Sequence, residues 1–172
     1  MSKEIFLVDT NSFIEPKKGY YAFDLAPGFW TQFTKHIKSK EIAVLDMVKD
    51  EIGKGTDELS RWVKSIDIPE LVSRRDSAII GKYGEIINDI AQNPYYKPSA
   101  LTEWSRDTVA DAWLIAAAAV KGYTLITLEQ PAKSLNLQNP SKNAKIPDVA
   151  ARFKVKTNDL FYMMRELKFI LK

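Results

Sequence analysis

The sequence has no cysteine and a single histidine, His36, in 172 residues. Without cysteine there is no disulfide framework, thiolate nucleophile, iron–sulfur cluster or cysteine-ligated zinc. One histidine excludes a multi-histidine metal cage. Long apolar runs are missing too. The longest, Ala112 to Val120, falls well short of the ~20 residues that span a bilayer. The first apolar run, Ile5 to Val8, stops at Asp9 and is too short for a signal peptide. These absences predict a cytoplasmic chain with no membrane partner. Charge of one sign is also scarce: 25 Lys+Arg against 22 Asp+Glu give +3, too little to announce a polyanion binder. Any chemistry falls to carboxylates, hydroxyls and amines.

What is present suits a globular protein. Hydrophobic residues make up 45% and charged residues 27%, which fits a folded chain rather than a disordered tail. The length predicts one domain over 1–172. The charge is unevenly spread. Residues 133–172 carry nine Lys/Arg and three Asp/Glu, a balance of +6, which leaves −3 for residues 1–132. That basic end reads either as a solvated surface or as a strip that meets a polyanion.

Apolar runs rich in β-formers at Ile5–Val8, Ile42–Leu45 and Tyr123–Ile126 predict strands buried on both faces. Helical spacing links Phe29, Trp30, Phe33 and Ile37, then Leu59, Trp62, Val63 and Ile66. Helices are predicted near 75–92 and 106–121, the latter capped by Gly122. Residues 15–28, with two Pro and two Gly, read as irregular. A short edge strand or a loop fits 67–74. A loop is predicted at 130–147, a last strand at Phe153–Lys156, and a C-terminal helix at 157–171. Strands alternating with helices predict an α/β fold with helices on both faces of a parallel sheet. Ligands in such sheets bind beyond the carboxyl ends of the strands.

Acids stand at those ends. Asp9 follows the first strand, and its structural alternative is a turn or helix cap. Asp46 closes the second strand and reads as an N-cap. Glu51 lies one and a half helical turns further on, where a helix leaving the same edge would aim it at Asp9. Asp111 heads the apolar helix. Its structural alternative is a capping box with Thr108, and Asp107, one turn earlier, is a supplementary acid. Glu129 follows the third strand, two residues after Thr127, whose hydroxyl could orient a water or a carboxylate. Clustered carboxylates need cations to offset their repulsion. An oxygen-only donor set suits Mg²⁺ or Mn²⁺, and such ions drive phosphodiester hydrolysis.

The segments Val8–Ile14, Asp50-Glu51-Ile52 and Ala110–Ala118, the last continuing into Gly122–Glu129, resemble those of PIN-domain ribonucleases, including the toxins of VapBC-type toxin–antitoxin systems. More narrowly, Tyr20–Asp24 with Pro27–Trp30, and Lys145-Ile146-Pro147, resemble the PIN-like domain of unknown function 4411. The resemblance implies a three-layer α/β/α PIN-like fold with a central, mostly parallel sheet of four to five strands. It implies Asp9, Glu51, Asp111 and Glu129 as metal-binding catalytic acids, with Thr10 or Asn11 as a first-loop helper. It also implies single-stranded RNA as substrate and an antitoxin as partner. The sequence departs from the family in having Glu129 where Asp is more usual, and in a longer insertion at 15–28, which would form a lid, a partner surface or a substrate clamp.

On the substrate side, Lys142, Lys145 and Arg152 are candidate phosphate contacts, as are Lys133, Lys154 and Lys156. Lys145 is the candidate for transition-state charge. Tyr20, Tyr21, Trp30, Tyr95 and Tyr96 are candidates for base stacking, with core packing as the alternative, favoured for Trp30. The apolar faces at 29–37 and 59–66 would pack on an antitoxin or in a homodimer, or be buried within the chain, which is the favoured reading. Two other functions compete. A haloacid dehalogenase-like phosphatase needs a second Asp two residues after its nucleophile, and Asn11 stands there. A catalytically silent PIN-like binding module would keep the acids only as caps.

Overall fold

The computed structural model describes residues 2–171. They fold as two compact units. The first comprises Met1–Ser73, Thr124–Leu128 and Asn158–Lys172; the second comprises Arg74–Tyr123 and Glu129–Thr157.

The first unit is built on β1 (Phe6–Val8), β2 (Ile42–Leu45), β3 (Leu71–Val72) and β4 (Thr124–Ile126). A two-residue strand, β5 (Thr157–Asn158), completes a sheet of order β3-β2-β1-β4-β5. The pairs β1–β2, β1–β4 and β2–β3 are parallel. Every residue of β1, β2 and β4 is buried, as their continuous apolar runs require. The chain moves outward from β1 through β2 to β3, then returns on the other side of β1 as β4. The sheet therefore has its switch point between β1 and β4, where ligands of open α/β sheets bind.

Four helices of this unit follow β1 and β2: α1 (Asn11–Lys18), α2 (Pro27–Lys38), α3 (Asp46–Gly53) and α4 (Glu58–Ser65). Their core is aromatic. Phe13 packs on Phe33 with centroids 5.1 Å apart, and Trp30 meets Trp62 edge-on at 4.9 Å. Tyr21 stacks on Phe29 at 4.4 Å. The lone histidine belongs to this core: the His36 ring stacks on Phe169 at 5.0 Å. Trp30 is 3% exposed, so it packs rather than stacks on bases. The last helix, α9 (Leu160–Glu166), is capped by Asp159, whose side chain accepts from Tyr162 N.

The second unit is helical: α5 (Ser77–Gln92), α6 (Pro98–Trp104), α7 (Asp111–Lys121) and α8 (Ile146–Arg152). The small side chains Ala112 and Ala116–Ala118 on α7 are buried and let α5 pack closely against it. Tyr83 and Trp113 stack at 3.9 Å. Gly122 ends α7 with φ of 73°, the left-handed conformation for which glycine has no Cβ penalty.

Several boundaries differ from the sequence reading. Residues 15–28 are not wholly irregular. The helix α1 runs to Lys18 despite Pro16, because Phe13 and Pro16 are buried along it. The predicted helix over 106–121 starts at Asp111. Thr108 therefore forms no capping box, and Asp107 lies on an exposed turn outside α7. The 130–147 loop ends at α8, which starts at Ile146. The strand expected at Phe153–Lys156 is displaced to Thr157–Asn158, since Phe153 and Lys154 close the C-terminal turn of α8 onto Ala150 and Ala151. The helix expected over 157–171 spans only Leu160–Glu166, because Lys168 turns left-handed (φ 56°) and sends Phe169 back into the aromatic core. No described helix is long and apolar enough to cross a membrane.

Candidate active site at the sheet switch point

The first unit brings four of the singled-out residues together. Asp9 follows β1 directly and is 6% exposed. Its backbone N donates to Ile126 O at 2.9 Å, which ties it to the end of β4. Its carboxylate accepts from Thr127 Oγ1 at 3.2 Å. Asp9 and Thr127 thus meet across the switch point. Thr127 is itself fixed on its far side, donating from N to Asn158 O.

Beside Asp9, buried Thr10 donates from Oγ1 to Glu51 Oε2 at 2.8 Å. Glu51 is on α3, which leaves the same carboxyl edge after β2. The helix therefore aims Glu51 at the Asp9 loop, as its spacing predicts. Asp46 opens α3 and accepts from Met47 N at 2.7 Å. The N-cap is Leu45, one residue earlier than expected, and makes no side-chain capping bond, so Asp46 stands in the first turn, where the helix dipole favours an acid. Asn11 is exposed at the head of α1.

Sequence reasoning missed Ser12. It is fully buried, and its Oγ has no hydrogen-bond partner among the described residues. Its backbone N donates to Asp9 O, so it sits one turn from the acid. A buried hydroxyl of this kind ordinarily takes a water. The only sequence signal was its place three residues after Asp9.

The second unit holds the other candidates. Asp111 is the first residue of α7 and half-buried, a position the helix dipole favours for an acid. Glu129 accepts from Ile146 N at 2.8 Å, and Lys145 Nζ is 4.0 Å from its Oε1. The loop from 130 therefore folds back on its own start and sets Lys145 beside Glu129. Arg152 is engaged elsewhere: it pairs with Asp89 at 2.7 Å and donates to Tyr96 Oη at 3.2 Å. Burial opposes its charge, but Asp89 and Tyr96 outweigh that and raise its pKa above the ordinary value. Tyr96 is 7% exposed and packed, whereas Tyr95 is 37% exposed. Among the described residues, no group of three or more His, Cys, Asp or Glu is placed to hold a metal ion.

An open groove of about 810 Å³ lies elsewhere on the first unit, along α2 and α4. Phe23, Trp30 and Trp62 form its apolar wall, and Lys35 and Lys38 stand on its rim. Most of the 29–37 and 59–66 faces is buried within the unit, as favoured from sequence, and this groove is what remains open.

A five-stranded sheet whose β1, β2, β3 and β4 run parallel, with an acid at its switch point, defines an open-sheet α/β protein. A chain in the crystal structure of VapBC2 from Rickettsia felis, bound to a DNA fragment from their promoter, has the same fold. It is 14% identical, with 90% of this chain and 98% of that chain covered and a TM-score of 0.50. No curated protein matches the sequence. The family described as "Domain of unknown function (DUF4411)" matches residues 6–171, and the chain belongs to it.

Proposed function

We propose that the protein is a Mg²⁺- or Mn²⁺-dependent endoribonuclease that cleaves single-stranded RNA, acting as the toxin of a type II toxin–antitoxin pair. The observation that carries this reading is the Asp9–Thr127 hydrogen bond across the switch point, with Glu51 held beside it by Thr10. The donor set there is oxygen-only, which suits a hard cation. Mg²⁺ is commonly held by one or two carboxylates, with water and substrate phosphates filling the rest, so a pair of acids is a sufficient protein share. Asp9 and Glu51 would hold the ion. Asp111 and Glu129 enter on the family resemblance.

When bound, the ion supplies Lewis acidity, which acidifies water and neutralises charge on the scissile phosphate. The chain's own residues do the positioning. The Thr127 hydroxyl fixes one oxygen of Asp9, and the Thr10 hydroxyl fixes one oxygen of Glu51. The Lys145 ammonium, near Glu129, is the candidate for charge developing on phosphate. The groove along α2 and α4 suits an amphipathic antitoxin segment, with apolar anchors against Trp30 and Trp62 and acids against Lys35 and Lys38. The likeness to a chain of VapBC2, bound there to a DNA fragment from their promoter, supports a protein partner here.

Incubation of the purified protein with a labelled single-stranded RNA tests this reading. Cleavage is expected with Mn²⁺ or Mg²⁺, none in EDTA, and a loss of at least 100-fold in Asp9→Asn, on the order expected for a group acting directly in the transition state. Undiminished cleavage by Asp9→Asn would refute the site.

The silent binding module is a second reading with an observation behind it. Glu129 tethers the start of α8 and Asp46 ties down the start of α3, so these acids have structural duties without any ion. A Mn²⁺ titration that leaves the melting temperature unchanged would favour it.

A further inference from the structure

The loop between β4 and α8 carries a second feature, wholly within the second unit. A polar cleft of about 380 Å³ is lined by Lys97, Ser134, Asn136, Asn139, Ser141 and Lys142. No carboxylate lines it. Two lysines and two asparagines line one space and bring ammonium and amide donors to it, groups matched to anionic oxygens, while the Ser141 hydroxyl is spent on Asn143 O at 2.7 Å. Neither Lys97 nor Lys142 is in an ion pair among the described residues, so no protein carboxylate competes for them.

The cleft is built by long-range pairing. Ser141 N donates to Tyr95 O at 2.8 Å, and Lys97 N donates to Ser141 O at 2.8 Å. This makes an isolated parallel bridge between Tyr96 and Ser141. Ser99 Oγ donates to Lys142 O at 3.2 Å. The backbones bearing the two lysines are therefore held together by three hydrogen bonds. Tyr95, on the same bridge, keeps an exposed ring. The loop starts at Glu129 and returns to it through Ile146 N and Lys145. The cleft and one candidate catalytic acid thus share one closed loop.

We propose that this cleft is a phosphodiester subsite for the RNA strand, in which Lys97 and Lys142 bind backbone phosphates, Asn136 and Asn139 bond to phosphate or base-edge atoms, and Tyr95 stacks on a neighbouring base. This inference rests on the ribonuclease reading for the identity of the strand. It assigns Lys97, Asn136 and Asn139 to substrate binding, and it gives Lys142 a site. The subsite holds substrate without taking part in bond cleavage.

The test separates binding from chemistry. Wild-type protein and K97Q/K142Q are titrated in EDTA against a fluorescein-labelled single-stranded oligoribonucleotide, with anisotropy read over a series of NaCl concentrations. Removing two phosphate contacts lowers the slope of log affinity against log salt by about 1.4, at ~0.7 per contact for single strands. The Kd is expected to rise about tenfold at moderate salt. N136A/N139A, which removes no charge, is expected to weaken binding with the salt slope unchanged. Circular dichroism melts of both variants check that they fold; a variant that fails to fold is replaced by K97Q alone, with an expected slope change of about 0.7. An unchanged Kd and slope in a folded lysine variant would overturn the subsite, as would a wild type that does not bind the strand. Failure of the ribonuclease reading looks different: wild type with no Mn²⁺-dependent cleavage, whatever its affinity in EDTA.

Discussion

Acid should weaken the first unit through one carboxylate in particular. Glu41, just before β2, accepts from His36 Nδ1 and Ser39 Oγ at 2.5 Å each and pairs with Lys3. Its side chain is 12% exposed. Burial pushes its pKa up, but the hydrogen bonds from Lys3, Ser39 and His36 pull harder, and it falls from 4.5 to about 2. A folded-state pKa below the unfolded one gives stability that is complete above about 4.5 and is lost as pH falls through about 2. The full linkage for that drop is about 3 kcal/mol at 1.36 kcal/mol per pH unit. The Lys3 side chain is 72% exposed, so solvent screens its share, and about 1–2 kcal/mol is the expected contribution. Urea unfolding of wild type and Glu41→Gln at pH 7, 4.5, 3 and 2 measures it through the midpoint at constant m. The wild-type advantage is expected to be about 1–2 kcal/mol at pH 7 and to shrink towards zero near pH 2. A difference that stays constant over this range would refute the reasoning, because the stabilisation would then not depend on the carboxylate's charge.

Other substitutions probe separate links. Gly122→Ala places a Cβ at φ 73° and is expected to cost about 1 kcal/mol in a thermal melt, although no neighbouring atom obstructs it. Thr127→Val removes the donor to Asp9 and leaves a buried carboxylate oxygen less well paired. RNA cleavage is expected to fall about tenfold or more, with kcat rather than KM carrying the loss, as for a positioning residue.

The central strands were legible because burial on both faces leaves a continuous apolar run, and each run stops at a polar residue. The switch-point edge followed from that pattern. Glu51 was legible through its turn count from the end of β2, and Thr127 through its place at the end of β4. Less legible were α6 and α8. Each has proline in its first turn, Pro98 and Pro147, where proline starts a helix rather than breaking one. Asp107 looked like a partner of Asp111 only while one helix was thought to carry both. Glu129 is singled out as a metal-binding acid by resemblance, whereas its tether to the start of α8 depends on a loop closure with no local signal. Lys97 was not legible at all, since its neighbour Lys142 is brought to it by the bridge between Tyr96 and Ser141. Arg152 shows the converse: a basic residue in a basic stretch, yet already committed to Asp89 and Tyr96.

The proposed metal site lies at the carboxyl edge of β1 and β4. Calorimetric titration of wild type and Asp9→Asn with Mn²⁺, followed by RNA cleavage under the same conditions, tests it most directly. Wild type is expected to bind Mn²⁺ and cleave single-stranded RNA, and Asp9→Asn to lose both while keeping a cooperative melt. Equal Mn²⁺ binding and equal cleavage by Asp9→Asn would contradict the central claim.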